Sequence, residues 1–309
     1  MTGAPETADS VTDATVRRAG YAALIGAPNA GKSTLLNRFV GTKISIVTHK
    51  VQTTRSRVLG VVASGGSQIV FVDTPGIFKP RRRLDRAMVS AAWNGAADAD
   101  AVVLLADATA PVDAAREIAH GLRGNRSHLL LAINKVDAVR RESLLALTGA
   151  LKDTAPFARV FMISARSGDG TADLMRYLAG VMPEGPWFFP ADQMTDMPRR
   201  LLAAEITREK LFLNVHQELP YELTVQTEQW EETPGKGVRI GQVIHVRRPG
   251  HRAIVLGKGG ETIKRVGTAA RLELAGLLDC PVHLDLFVRV TPGWDNDPEH
   301  FRAWNLDFE

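Results

Sequence analysis

The chain has 309 residues, 45% hydrophobic and 23% charged, the balance of a globular protein long enough for two domains. One cysteine, Cys280, excludes an internal disulfide and fits a reducing compartment, and no run of about 18 apolar residues offers a transmembrane helix. The net charge of +4 is uneven: between 236 and 271 nine Lys and Arg stand against Glu261 alone, inside a carboxyl-terminal part (186–309) that is otherwise acidic.

Residues 1–18, rich in Thr, Ala, Asp and Ser, lack the apolar core of a signal peptide and are expected to form a disordered tail. From residue 20 to 182 apolar runs alternate with amphipathic stretches. The predicted strands are 21–25, 57–63, 68–72, 101–106, 128–133 and 159–163. The predicted helices are 32–40, 85–96, 113–123, 142–153 and 171–181. Such alternation indicates an α/β sheet covered on both faces, with ligands at the carboxyl ends of its strands.

The first strand ends in Gly26-Ala27-Pro28-Asn29-Ala30-Gly31-Lys32-Ser33, followed by Thr34 and a helix. Gly-x4-Gly-Lys-Ser at a strand–helix turn offers backbone N–H groups and a helix dipole to a phosphate chain. Lys32 can reach the β- and γ-phosphates, and the Ser33 hydroxyl can meet Mg²⁺. The third strand ends in Asp73-Thr74-Pro75-Gly76, 40 residues after Ser33, where Asp73 can hold Mg²⁺ through water and the Gly76 N–H can contact a γ-phosphate. The fifth ends in Asn134-Lys135-Val136-Asp137. Asp137 can accept from both N1–H and the 2-amino group of guanine, a pair that adenine lacks, while Asn134 braces the loop and the Lys135 stem covers the ring. At Ser164-Ala165 the Ala165 N–H can donate to guanine O6.

These four elements, in this order at strand ends, resemble the Ras-like GTPase family. The resemblance implies a threonine between residues 48 and 55 that completes Mg²⁺ coordination, and Thr53 and Thr54 both qualify. Where Ras-type enzymes carry a glutamine to orient the attacking water, this chain has Ile77, so slow intrinsic turnover is expected. In similar GTPases an asparagine at the Asn29 position accompanies a bound K⁺. Arg55 is expected to face solvent, a cation acting in cis being the other reading.

Pro183 to Pro190 contains three prolines and reads as a linker. Beyond it a helix is predicted at 198–216, strands at 221–230 and 237–247, a short strand at 251–256, a helix reaching about 279, and a strand at 282–290. Gly257-Lys258-Gly259-Gly260 then opens that helix within the basic segment. Glycines there admit a sugar-phosphate backbone, Lys258, Lys264 and Arg265 supply charge, and Ile254 and Ile263 can line a groove for unstacked bases. This loop resembles the signature of KH domains.

A Ras-like domain joined to a KH domain is similar to the Era family of bacterial ribosome-assembly GTPases. Arg208-Glu209-Lys210-Leu211, Leu219-Pro220-Tyr221 and Cys280-Pro281-Val282-His283-Leu284 also match. The expected fold is a P-loop GTPase domain with a mixed, mostly parallel sheet (19–182), a linker (183–197) and an α+β KH-type domain (198–309). The resemblance implies GTP as substrate, Mg²⁺ and K⁺ as ions, and a cytoplasmic monomer. Its implied partners are the 3′ region of 16S ribosomal RNA and the 30S subunit, with no DNA. Peripheral contact with the inner face of the cell membrane is a further expectation. The alternative is a membrane-surface signalling GTPase whose basic segment meets anionic lipid.

Overall fold

The computed structural model describes residues 17–50, 53–215 and 219–308. The predicted tail falls outside these residues except for Arg17 and Arg18, as do Val51, Gln52 and the predicted last residue of the 198–216 helix. The first sheet is built from β1 (Arg18–Gly26), β2 (Val58–Ser64), β3 (Ser67–Asp73), β4 (Ala101–Asp107), β5 (His128–Asn134) and β6 (Arg159–Met162). Its order is β2-β3-β1-β4-β5-β6, parallel except for the antiparallel β2–β3 pair. Helices α1 (Lys32–Val40), α2 (Arg83–Ala97), α3 (Val112–Gly121), α4 (Arg141–Leu151) and α5 (Thr171–Val181) cover it.

Alternate residues of β1 enter opposite cores: Ala22 and Leu24 pack with Leu35, Leu174 and Leu178, whereas Ala23 and Ile25 pack with Ala96, Ile118 and Leu151. A sheet buried on both faces needs near-continuous apolar strands, which is why these runs stood out in the sequence. β1 begins earlier than predicted, because the Ala19 N–H donates to Pro183 O and the Arg17 carbonyl accepts from Gly185 N–H. The proline-rich linker is thus laid along the sheet; further on, the Thr195 hydroxyl donates to Leu59 O at 2.7 Å.

The second unit follows the order α6 (Arg199–Asn214), β7 (Leu223–Thr233), β8 (Gly237–Val246), α7 (Pro249–Leu256), α8 (Glu261–Leu278) and β9 (Val282–Val290). β8 is central, antiparallel to β7 and parallel to β9. The strand predicted at 251–256 is a helix. Pro249 sits in its first turn, Arg248 is extended before it, and Gly257 (φ 75°) ends it. Of the β-branched pair Ile254-Val255, only Val255 enters the core, while Ile254 is 54% exposed.

A last helix, α9 (Pro298–Ala303), closes the chain against the first unit. Trp294, Phe301, Trp304 and Leu306 bury their side chains with Leu84 and Met88 of α2. Arg55, expected at solvent, is 4% exposed in this seam. Its guanidinium lies 5.1 Å from the Trp294 ring and 5.8 Å from Trp304, and donates to Leu223 O at 2.9 Å. Burial lowers its pKa to about 9. Two aromatic faces and a carbonyl supply what water would otherwise give this cation.

Candidate nucleotide and RNA sites

Gly26–Ser33 runs from β1 into α1. Gly31 has φ 97°, and a Cβ there would lie 2.2 Å from the Asn134 amide nitrogen. That closeness has a purpose: Asn134 Nδ2 donates to Ala30 O at 2.8 Å, and its Oδ1 accepts from Ala165 N–H at 2.9 Å. Asn134 therefore ties the phosphate loop to the loop after β6. The Ala165 N–H, assigned from the sequence to guanine O6, donates here to Asn134 instead.

Lys32 is buried, with Nζ donating to Gly26 O and Ala27 O at 3.1 Å each. Burial lowers its pKa to about 8, although Asp73 opposes the shift. Asp73 is also fully buried; desolvation raises its pKa against the pull of Lys32 and of hydroxyl donors. Its Oδ2 accepts from Ser33 Oγ at 2.6 Å and from Ser45 Oγ at 2.9 Å, while its Oδ1 has no partner. Thr54 Oγ1 is 2.9 Å from Ser33 Oγ. Thr53, its rival in the sequence, instead donates to Lys50 O at 2.8 Å and pairs with Thr48 Oγ1. Two hydroxyls and a carboxylate with a spare buried oxygen suit a hard cation such as Mg²⁺, which needs few protein ligands when phosphates complete its shell.

Pro28, Asn29, Gly31, Lys32, Ser33, Thr34, Thr53, Thr54, Gly76 and Lys135 share one cleft of about 330 Å³ with residues 46–49. Asn29 adopts φ 64°, and its amide donates to His49 O at 2.9 Å. Thr74 Oγ1 donates to Leu24 O, and Pro75 and Gly76 are buried beside it. Ile77 N–H donates to Gly26 O at 3.0 Å, joining the Gly76 loop to the phosphate loop. Lys135 Nζ pairs with Asp107 Oδ2 at 2.5 Å, a partner the sequence gave no reason to single out. Asp137 is exposed beyond the cleft, its carboxylate without a partner among the described residues. Ser164 is buried at the end of β6.

Residues 43–55 are held by α6 as well as by the cleft. Lys43 pairs with Glu209 at 2.6 Å and with Glu273 of α8. Val47 N–H donates to Glu209 Oε1 at 2.9 Å, Lys50 Nζ to Val215 O at 2.5 Å, and the Arg208 guanidinium to Thr53 O. The Arg-Glu-Lys-Leu stretch on α6 was visible in the sequence, but not its grip on this segment.

The Gly257–Gly260 loop joins α7 to α8. Gly259 (φ 62°) and Gly260 (φ 81°) present bare backbone to open space. Lys258, Lys264 and Arg265 are exposed, and Arg265 Nε donates to Asn214 Oδ1 at 2.7 Å. Ile263 is partly buried against the second core.

Residues 21–135 match the family described as 50S ribosome-binding GTPase, and residues 218–295 match the KH domain. GTPase Era of Rhizobium meliloti is 57% identical, with 97% of this chain and 96% of the relative covered. The chain belongs to the Era family of GTPases. GTPase Era of Brucella suis is 53% identical over 100% of this chain and 99% of the relative. A crystal structure of an Aquifex aeolicus Era variant bound to GDP·AlF4⁻ superposes with a TM-score of 0.85 at 36% identity, covering 93% of this chain and 98% of that one. Era in complex with MgGDPNP and nucleotides 1506–1542 of 16S ribosomal RNA gives 0.86 at the same identity and coverage. The Era-family assignment favours an RNA-binding GTPase over the membrane-signalling alternative.

Proposed function

We propose that this Era-family GTPase binds the 3′ region of 16S ribosomal RNA and assists assembly of the 30S subunit. GTP hydrolysis in residues 19–182 would govern RNA held by residues 198–309, across the 183–197 linker. The observation that carries this reading is the pairing of a Ser33–Thr54–Asp73 oxygen cluster with a bare, basic Gly257–Gly260 loop on one chain. The structural relative seen with 16S nucleotides supports the choice of RNA.

Phosphoryl transfer asks for positioning and charge stabilisation. Backbone N–H groups of residues 29–34 and the Lys32 ammonium would hold the phosphates. Ser33, Thr54 and Asp73 would hold Mg²⁺, which when bound neutralises charge gathering on the phosphate oxygens. Asp137 would accept from guanine, and Lys135, steered by Asp107, would lie along the ring. Ile77 can neither donate to nor accept from water, so the attacking water falls to backbone groups and the 43–55 segment. Asn29, already within reach of the His49 carbonyl, would offer its own carbonyl oxygen to K⁺. The protein would act in the cytoplasm as a monomer, with any membrane contact peripheral.

The test is filter binding of the 1506–1542 RNA fragment to the full chain and to Gly259→Asp. A side chain at Gly259 meets open space, although φ 62° strains any residue but glycine, and Asp sets a carboxylate against phosphates. Loss of binding is expected; unchanged affinity would overturn the RNA assignment.

A further inference from the structure

Residues 79–86 read Lys-Pro-Arg-Arg-Arg-Leu-Asp-Arg and follow the Gly76 loop directly. The one acid, Asp85, is already committed: its Oδ2 accepts from the N–H groups of Arg81 and Arg82 at 3.0 Å each. Lys79 and Arg81 are exposed and have no ion-pair partner among the described residues.

These cations abut a second set. Glu222 takes Arg82 at 2.6 Å on one side and Arg247 at 3.0 Å on the other, so the 79–82 loop meets the start of α7. Arg248 just ahead of α7, Arg252 within it and Lys258 past its end are exposed and have no ion-pair partner among the described residues. The eight residues of α7 rise about 12 Å. Free cations thus stand on both sides of the Arg82–Glu222–Arg247 pairs, Lys79 and Arg81 in the GTPase domain and Arg248, Arg252 and Lys258 toward the Gly257–Gly260 loop. Like charges gathered in this way repel one another, and a polyanion lying along them relieves the repulsion and releases counterions.

We propose that the 79–82 loop binds the phosphate backbone of the same RNA that the Gly257–Gly260 loop grips, with the strand running along α7 between the two domains. The proposal rests on the RNA reading above. A lipid surface would meet the same charges, but a narrow row ending in a backbone-gripping loop fits a linear polyanion better than a plane.

The test uses the full chain and the 1506–1542 fragment, with affinity measured between about 50 and 200 mM salt. Lys79→Gln/Arg81→Gln is expected to weaken binding and to reduce the slope of log K against log salt by about 1.4 for a single strand or about 1.8 for a duplex. Arg248→Gln should reduce it by half as much. An unchanged slope in Lys79→Gln/Arg81→Gln overturns the proposal, whatever Arg248→Gln does. Gly259→Asp, run in parallel, separates the two readings. If it abolishes binding while Lys79→Gln/Arg81→Gln leaves the slope intact, only the row is wrong; if it binds normally, the RNA reading itself fails. Loss of binding to phosphatidylglycerol vesicles with the RNA slope intact would assign the loop to lipid and also overturn the proposal.

Discussion

The Arg208 guanidinium donates to the Thr53 carbonyl while Glu205 holds it from behind, so a side chain of one domain fixes the residue next to Thr54 in the other. Arg208 is 1% exposed and Glu205 7%. Removing the cation strands a buried carboxylate, at a cost of about 3–5 kcal/mol. Arg208→Ala is therefore expected to lower the thermal unfolding midpoint. Arg208→Lys keeps the charge but not the planar fork that spans both partners. Under conditions where it is folded, it should bind GTP more weakly than the parent chain. Equal affinity by nucleotide titration would show that the grip on Thr53 has no bearing on the cleft.

Asp137 stands exposed with no partner among the described residues, free to accept from a base. Asp137→Asn replaces one acceptor with a donor. Preference should move from GTP toward xanthosine triphosphate, whose C2 bears a carbonyl in place of the amino group. Competition binding with both nucleotides checks this, and retained GTP preference would remove Asp137 from the base site.

Asn29 and His49 offer two carbonyl oxygens close to the phosphate loop. If K⁺ sits between them, hydrolysis should run faster in K⁺ than in Na⁺, and Asn29→Ala should erase the difference. Equal rates for the parent chain in the two salts would refute the ion site.

His245 is buried in the second domain, with Nδ1 2.9 Å from Thr291 Oγ1 and Nε2 unpartnered. Burial, then His300 and Arg289, lower its pKa from 6.5 to about 4, against smaller opposing pulls from Glu228 and Asp297. A proton refused by the folded chain is accepted by the unfolded one. The contribution is therefore complete above pH 6.5 and is lost as pH falls toward 4. The unfolding midpoint should decline over that window, and His245→Gln should flatten the decline. An identical curve for the variant would place the acid sensitivity elsewhere.

The nucleotide loops were legible because their chemistry is local: each is a short run at the end of an apolar strand. Gly31, Lys32, Asp73 and Asn134 need only their own neighbours to be recognised. Arg55 was misplaced because its environment is assembled from Leu223, Trp294 and Trp304, far along the chain. That Thr54 rather than Thr53 turns its hydroxyl toward Ser33 is likewise something a dipeptide does not encode. The helix at Pro249–Leu256 was missed because eight residues with a β-branched pair carry too little periodicity. The Pro249 start and Gly257 stop were the better signals. Asp107 acts through a distant partner and no single-sequence pattern marks it; Arg208 and Glu209 stood out within a matching stretch, but their hold on Thr53 and Val47 did not.

Lys43, Val47, Lys50, Thr53 and Arg55 all fasten to the second domain. The segment that carries Thr54 is therefore shared property of the two halves of the chain. A fragment severed at 183–197 would keep the Asn134 brace, Lys32 and the 134–137 loop, which are all its own. It would lose the anchors of Thr54. Holding GTP and cleaving it would then come apart, leaving a nucleotide carrier with its clock stopped.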